Sequence, residues 1–361
     1  MNFSEKLIGW FEKNKRDLPW RKTKNPYFIW VSEIILQQTR VEQGLPYYKR
    51  FIKKFPTIKD LATAREDDVM KQWQGLGYYS RARNMHCTAK EICKSYKGKF
   101  PEKFEEILSL KGIGKYTASA ISSFAFNLPF PVVDGNVQRV FARIFGISDS
   151  SGFAVAEKKF YSLGHKLLDK TNPGTFNQAI MEFGAIHCTP LLPKCNHCVF
   201  SGDCFALKTN RVKEFPSKKI KVKPRTRFFY YLIIKAGDST FIKKRKGNDI
   251  WIDLYEFPLI ESAKALSKNE ILHSAQWKNF FGNISVKIIS ISKYQKHILS
   301  HQLINGQFWE VEMPSGTKIK QALKTFQLVK FTNLNKFPVS RMIEKYMVEN
   351  GEGFTKNNRG K

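Results

Sequence analysis

The chain has 361 residues, with 61 Lys and Arg against 31 Asp and Glu, for a formal net charge of +30. An excess of that size is more than solubility needs and points to a polyanionic partner, most simply nucleic acid. No apolar run is long enough to span a membrane. The opening residues, Met1-Asn2-Phe3-Ser4-Glu5-Lys6, lack the charged-then-apolar pattern of a signal peptide. The expected location is the cytoplasm (nucleoid-associated in a bacterial cell), and the expected state is a monomer.

From Ser4 to about Cys204 the pattern is that of helices separated by Pro and Gly. Phe3, Leu7, Trp10 and Phe11 mark one apolar helical face, and Pro26, Pro46, Pro56, Pro101, Pro129 and Pro131 punctuate the remainder of this half. Cys87 and Cys93, six apart on a predicted helix, are expected to be buried small hydrophobes. A helix over Phe104–Ser109 should end in Leu110-Lys111-Gly112-Ile113-Gly114-Lys115-Tyr116. Two glycines there allow a tight turn whose amides, at the start of the next helix, bind phosphate without reading sequence. This is the helix-hairpin-helix pattern, and Lys111, Gly112, Gly114 and Lys115 are its candidate DNA-backbone contacts. Asp134, ahead of Gly135-Asn136-Val137, is a good helix N-cap.

Four cysteines, Cys188, Cys195, Cys198 and Cys204, then come with six, two and five residues between them. Common zinc folds use two separated pairs, whereas four thiolates in one segment suit an iron–sulfur cubane. Zinc and disulfides remain as alternatives. Lys194, Lys208, Arg211 and Lys213 surround the run. Residues 208–227, with nine basic residues, one acid and two prolines, read as a connector too charged to bury. Beyond it Phe228–Ile234, Trp251–Ile260, Val286–Ile291 and Gln307–Val311 read as strands and Met342–Val348 as a helix. The polar stretch Glu349–Lys361 reads as a disordered tail.

The hairpin, then an Asp in a Val-Asp-Gly-Asn-Val context, then the four cysteines together resemble the endonuclease III superfamily of DNA glycosylases, over roughly residues 1–210. The resemblance implies a 4Fe-4S cluster on Cys188, Cys195, Cys198 and Cys204, with a structural role. Strand-cutting members carry a lysine where this chain has Tyr116, and that lysine forms a Schiff base with the sugar. A phenol cannot, so a glycosylase without strong lyase activity is implied.

Val31-Ser32-Glu33-Ile34-Ile35-Leu36-Gln37-Gln38-Thr39 resembles the signature of MutY-type adenine DNA glycosylases, which remove adenine mispaired with 8-oxoguanine. The resemblance makes Glu33 the general acid that lets adenine depart neutral, which requires a raised pKa in apolar surroundings. It makes Asp134 the group that stabilises positive charge on the sugar. Asn136 would orient a water or Asp134, and Tyr116 would keep the site polar. Arg16, Arg21 and Gln178 would surround the extruded adenine. Gln38 and Tyr78 would wedge the gap, with Leu36 nearby.

The second half resembles the MutT-like (Nudix-like) domain of the same family through Trp251-Ile252-Asp253-Leu254-Tyr255-Glu256-Phe257-Pro258. After Pro258 only isolated Glu261 and Glu270 stand where a hydrolase would need a glutamate-rich magnesium box, so this domain should bind rather than hydrolyse. The family's Phe-Ser-His loop corresponds to His297-Ile298-Leu299-Ser300-His301, with Leu299 in place of the aromatic. That loses base stacking worth about 1–3 kcal/mol and implies weaker discrimination of 8-oxoguanine.

The expected fold is therefore α+β and multidomain: an all-α glycosylase domain over 1–207, a connector over 208–227, a MutT-like domain over 228–348 and a tail over 349–361. The expected partner is double-stranded DNA holding adenine opposite 8-oxoguanine or guanine. A bifunctional glycosylase/lyase and a non-catalytic damage-binding protein are the competing readings.

Overall fold

The computed structural model describes residues 2–148, 153–217, 224–314 and 322–351. The predicted tail beyond residue 351 and the middle of the predicted connector lie outside them. The chain divides into two compact units, Met1–Ala64 with Arg83–Ile220 and Arg65–Ala82 with Lys221–Lys361.

The first unit is helical. Helix Phe3–Asn14 starts at a capping box in which Asn2 and Glu5 satisfy each other's backbone N–H. It buries Leu7, Trp10 and Phe11 against helix Pro173–Glu182, in a core that includes Phe141, Phe176 and Phe183. Helix Pro26–Leu36 starts from an Asn25 cap with Pro26 in its first turn. Tyr27 and Ile29 through Ile35 are all buried, so this helix has no solvent face and packs against Lys115–Phe126. Glu33 is the one carboxylate inside it. Helix Phe104–Ser109 forms as expected. Helix Gly135–Phe145 is capped by Asp134 and stopped by Gly146 in the left-handed conformation.

Cys87 departs from expectation. It sits on helix Ser80–Ser95 but is exposed, with Cys93 half-buried; the helix turns its apolar stripe of Ala82, Met85, Ala89 and Ile92 inward instead.

The second unit is built on a sheet ordered β4-β1-β7-β5, with β6 also paired to β7, beside a three-stranded sheet ordered β3-β2-β8. The strands are β1 (Arg225–Lys235), β2 (Ser239–Lys244), β3 (Tyr255–Glu256), β4 (Leu259–Ser262), β5 (Lys287–Ile291), β6 (Gln295–Ile298), β7 (Gln302–Glu312) and β8 (Gln327–Lys330). β1 runs parallel to β7, and its successive side chains alternate between two cores. Phe229, Tyr231 and Ile233 meet Met342, Ile343 and Tyr346 of helix Arg341–Glu349; Tyr230, Leu232 and Ile234 meet Ile271, Trp277 and Phe281. A strand covered on both faces must be apolar throughout, which accounts for the unbroken run at Phe228–Ile234.

Two expectations change here. Trp251–Ile260 is not one strand: Trp251 and Asp253 take left-handed backbone angles (φ 58° and 64°), leaving only the short β3 and β4. The predicted connector also ends early, because Arg225–Arg227 begin β1. Arg227 is buried, with Asp249 and Glu261 each 2.7 Å away. Its charge is accommodated by pairing rather than by solvent.

Candidate active site and DNA-contacting elements

Eight of the sequence-predicted residues line a single cleft of about 160 Å³ in the first unit: Glu33, Tyr116, Asp134, Asn136, Arg16, Arg21, Gln178 and Leu36. They come from four separate helices and the loop around Pro19–Arg21. The volume is below that of drug-sized pockets, about 300–1,000 Å³, and suits a single nucleobase. Trp20, Ile29, Phe124 and Met181 supply its apolar walls. Ile34 and Ile35, which follow Glu33 in sequence, are buried but do not line the cleft.

Glu33 is 5% exposed. Burial pushes its pKa up to about 7 and the nearby Asp134 adds to that, while the Tyr116 hydrogen bond and Arg21 oppose it. The Tyr116 hydroxyl donates to Glu33 Oε2 at 2.7 Å. Burial and the two carboxylates push the Tyr116 phenol well above its usual range, so it stays a donor. Asp134 accepts from the Val137 N–H through Oδ1 and from Asn136 Nδ2 through Oδ2, both at 2.8 Å. It is therefore both the helix cap that composition suggested and a member of the site. Burial raises its pKa, and the hydrogen bonds at the helix start counter that.

Arg16 and Arg21 line the cleft through a residue the sequence did not reveal. Glu182, 1% exposed, accepts from Arg16 Nε (2.9 Å), Nη2 (2.7 Å) and backbone N–H (2.9 Å), and from Arg21 Nη1 (3.0 Å) and Nη2 (2.8 Å). Burial pushes its pKa up, but the two guanidiniums outweigh this and hold it at about 2. No local signal marks Glu182, since its partners are more than 160 residues away in sequence.

Helix Pro173–Glu182 continues into one π-helical turn, Phe183–His187, which leads directly to Cys188. Gly184 lies in that turn, and a Cβ there would come within 2.7 Å of Asn136 Cβ. Arg139 closes the arrangement. Its guanidinium donates to Cys188 O (2.8 Å), Gly184 O (2.7 Å) and Asn136 Oδ1 (2.8 Å). Asn136 passes the restraint on to Asp134, so the cysteine loop and the site share one hydrogen-bonded frame.

The four cysteines gather beside Arg143, which donates to Cys188 Sγ (3.4 Å), Thr189 O (2.7 Å) and Pro190 O (3.0 Å). Burial pushes the Cys198 thiol up to about 11, and the charges of Cys188, Cys204 and Cys195 add to that. Among the described residues no three His, Cys, Asp or Glu side chains are spaced to hold one metal ion. A single zinc, with Zn–S bonds of about 2.3 Å, would draw its sulfurs to within about 4 Å of each other.

The hairpin is formed as expected. Gly112 has φ +78°, and a Cβ on it would meet Asn84 Cβ at 2.6 Å. Gly114 caps helix Lys115–Phe126 with no side-chain partner and open space at its Cα. Lys111 is exposed, and its carbonyl accepts from Thr88 at 2.7 Å. Lys115 lies over the Tyr161 ring at 3.7 Å, away from Glu33's partner Tyr116. Gln38 and Tyr78 are both exposed with left-handed backbones (φ 55° and 49°). In the second unit Tyr78 Oη is hydrogen-bonded to Ser300 Oγ.

The sequence matches the family described as HhH-GPD superfamily base excision DNA repair protein over residues 31–164 and a NUDIX domain over residues 229–349. It is 38% identical over 300 residues to the adenine DNA glycosylase of Buchnera aphidicola subsp. Acyrthosiphon pisum, covering 83% of this chain and 84% of that one. The chain belongs to the adenine DNA glycosylase family. As a member it is a base-excision DNA N-glycosylase, a hydrolase that binds DNA and releases adenine. The Homo sapiens adenine DNA glycosylase is 40% identical over 213 residues, spanning 56% of this chain and 39% of that one. Among solved structures, a thermostable thymine-DNA glycosylase aligns with a TM-score of 0.54 and 30% identity over 57% of this chain and 95% of its own. The helical unit of this adenine DNA glycosylase thus has the fold the hairpin and cysteine spacing implied.

Proposed function

We propose that this glycosylase acts on adenine opposite 8-oxoguanine or guanine, that Glu33 is its general acid, and that it has no strong lyase activity. The observation that carries this reading is the buried Glu33 carboxyl, with a pKa about 7, hydrogen-bonded by Tyr116 in a base-sized cleft. Near neutral pH about half of it is protonated. Because Tyr116 donates to Oε2, Oε1 is left to carry the proton to a ring nitrogen of the flipped adenine, a contribution of about 10²–10⁴-fold. The glycosidic bond then breaks and the base leaves neutral.

Asp134, held at the helix start by Val137 and Asn136, faces the positive charge that grows on the sugar. The Arg16–Glu182–Arg21 set supplies donors and acceptors for the edge of the base, and Gln178 a further amide. Tyr116 offers no amine to the sugar, so the strand stays intact. Gln38 and Tyr78 would fill the space the base vacates, with Leu36 nearby in the cleft wall. Lys111, Gly112, Gly114 and Lys115 would clamp the backbone.

Cys188, Cys195, Cys198 and Cys204 would hold a 4Fe-4S cluster. The support is the donor set itself: four cysteines on one short segment, with Cys188 and Cys204 both hydrogen-bonded to Arg143, supply the four thiolates such a cluster takes. When bound, the cluster would brace the loop that carries Lys194. In the second unit the hairpin with His297, Leu299, Ser300 and His301 would read the opposite base.

The test is single-turnover reaction of a duplex with an adenine–8-oxoguanine pair, developed with and without alkali, beside Glu33→Gln. Strand breaks should require alkali and disappear in the variant. Breaks without alkali would overturn the assignment to Tyr116. Base loss that survives Glu33→Gln would remove Glu33 from the acid's role.

A further inference from the structure

The β6–β7 hairpin exposes an apolar side chain other than the one the family loop suggests. His297 pairs with Ile304, and Ile298 with Leu303. Ile304 is fully buried, so His297 faces the core, where its ring meets Trp251 edge-on at 5.5 Å. Side chains alternate along a strand, so Ile298 faces outward and is 78% exposed. Leu299 comes next, and its N–H donates to Gln302 O at 2.8 Å. That tight closure turns its side chain back onto the core of Phe229, Ile304 and Phe308. The residue in the aromatic's place is therefore occupied in packing, while its neighbour stands in solvent.

A single exposed isoleucine is ordinary on a protein surface. Ile298 differs in its surroundings. It lies two residues from Ser300, which holds Tyr78, itself an exposed aromatic. The exposed Lys296 precedes it on the same outward face and exposed His301 lies just past the turn. An apolar tip among basic and hydroxyl groups on a hydrogen-bonded hairpin matches the way proteins insert Ile, Leu or Phe between base steps. Its β-branched side chain is already restricted in χ1 and loses little freedom on insertion.

We propose that Ile298, rather than Leu299, is the apolar finger this hairpin sets against the base opposite the adenine. This rests on the reading of the hairpin given under Proposed function.

The experiment compares full-length Ile298→Ala, Leu299→Ala and Ser300→Ala. Each is measured for affinity to a duplex carrying an uncleavable 2′-fluorinated deoxyadenosine opposite 8-oxoguanine, to the fully paired duplex, and for thermal unfolding. Ile298→Ala should keep its unfolding temperature and lose about tenfold in preference for the lesion duplex, the scale of one buried aliphatic side chain. Leu299→Ala should lower the unfolding temperature and, at a temperature where it is folded, keep the preference. Retained preference in Ile298→Ala with loss in Ser300→Ala would overturn the proposal and leave the hairpin's role intact. Retained preference in both would overturn the hairpin's role itself. Loss confined to Leu299→Ala, folded at the assay temperature, would return the finger to Leu299.

Discussion

Glu33 shows how a single buried group ties reactivity to stability. With a pKa about 7, the protonated acid is present below neutrality and lost above it. The single-turnover rate should be flat at low pH and fall about tenfold per unit above pH 7, provided Asp134 remains ionised. A pH–rate profile on the adenine–8-oxoguanine duplex checks this; a rate that rises above pH 7 would contradict it. The same shift has a folding consequence. A carboxyl whose folded pKa is raised from 4.5 to about 7 stabilises the fold fully below about 4.5, and that contribution is lost as pH rises through 7. Glu33→Gln, inactive, should therefore unfold at a higher temperature than the parent at pH 8, by an amount corresponding to up to about 3 kcal/mol. Glu33 was legible in the sequence because its neighbours are apolar and its context matched a family signature. Glu182 was not, because only the folded chain brings Arg16 and Arg21 onto it.

Among the elements, the hairpin glycines divide their roles. Gly112 is required by the fold, since its φ of +78° and the closeness of Asn84 leave no place for a side chain. Gly112→Ala should cost about 1–3 kcal/mol and weaken duplex binding. Gly114→Ala, in extended backbone with open space around it, should lose only the smaller N-cap preference of Gly over Ala and act mainly on DNA affinity. Thermal unfolding and duplex titration of the pair separate the two effects; equal destabilisation would refute the division. The strands show the same limit on sequence reading as the site. Phe228–Ile234 was plain because a doubly covered strand needs apolar residues at every position. Trp251–Ile260 misled because it has strand-like composition but contains two left-handed residues, a backbone feature that non-glycine residues do not announce. Arg227 misled because burial of a charge depends on distant Asp249 and Glu261. Cys87 did so because helix phase, which residue type does not fix, turned it to solvent.

For the molecule as a whole, a net charge of +30 means that affinity for duplex DNA should fall steeply with salt. The log–log slope should be near −0.9 per phosphate neutralised, and binding flat between low and moderate salt would refute the electrostatic reading. The cysteine loop makes a second prediction at this scale. The purified chain should contain about four iron and four sulfide, and Cys198→Ala should lose both along with duplex affinity; one equivalent of zinc and no iron would reassign the site. The two-part organisation was readable from the change of period after the basic stretch. What was not readable is that Arg65–Ala82, from the middle of the helical half, belongs with the unit that begins at Lys221. That interleaving sets a timetable for biosynthesis. The segment leaves the ribosome about 140 residues before its companion strands, a wait of roughly 7–30 s at translation speeds of about 5–20 residues per second. During that interval Val69, Met70 and Trp73, all buried in the finished protein, lack the C-terminal partners of their own unit. A nascent chain stalled near residue 220 would thus be a natural client for chaperones.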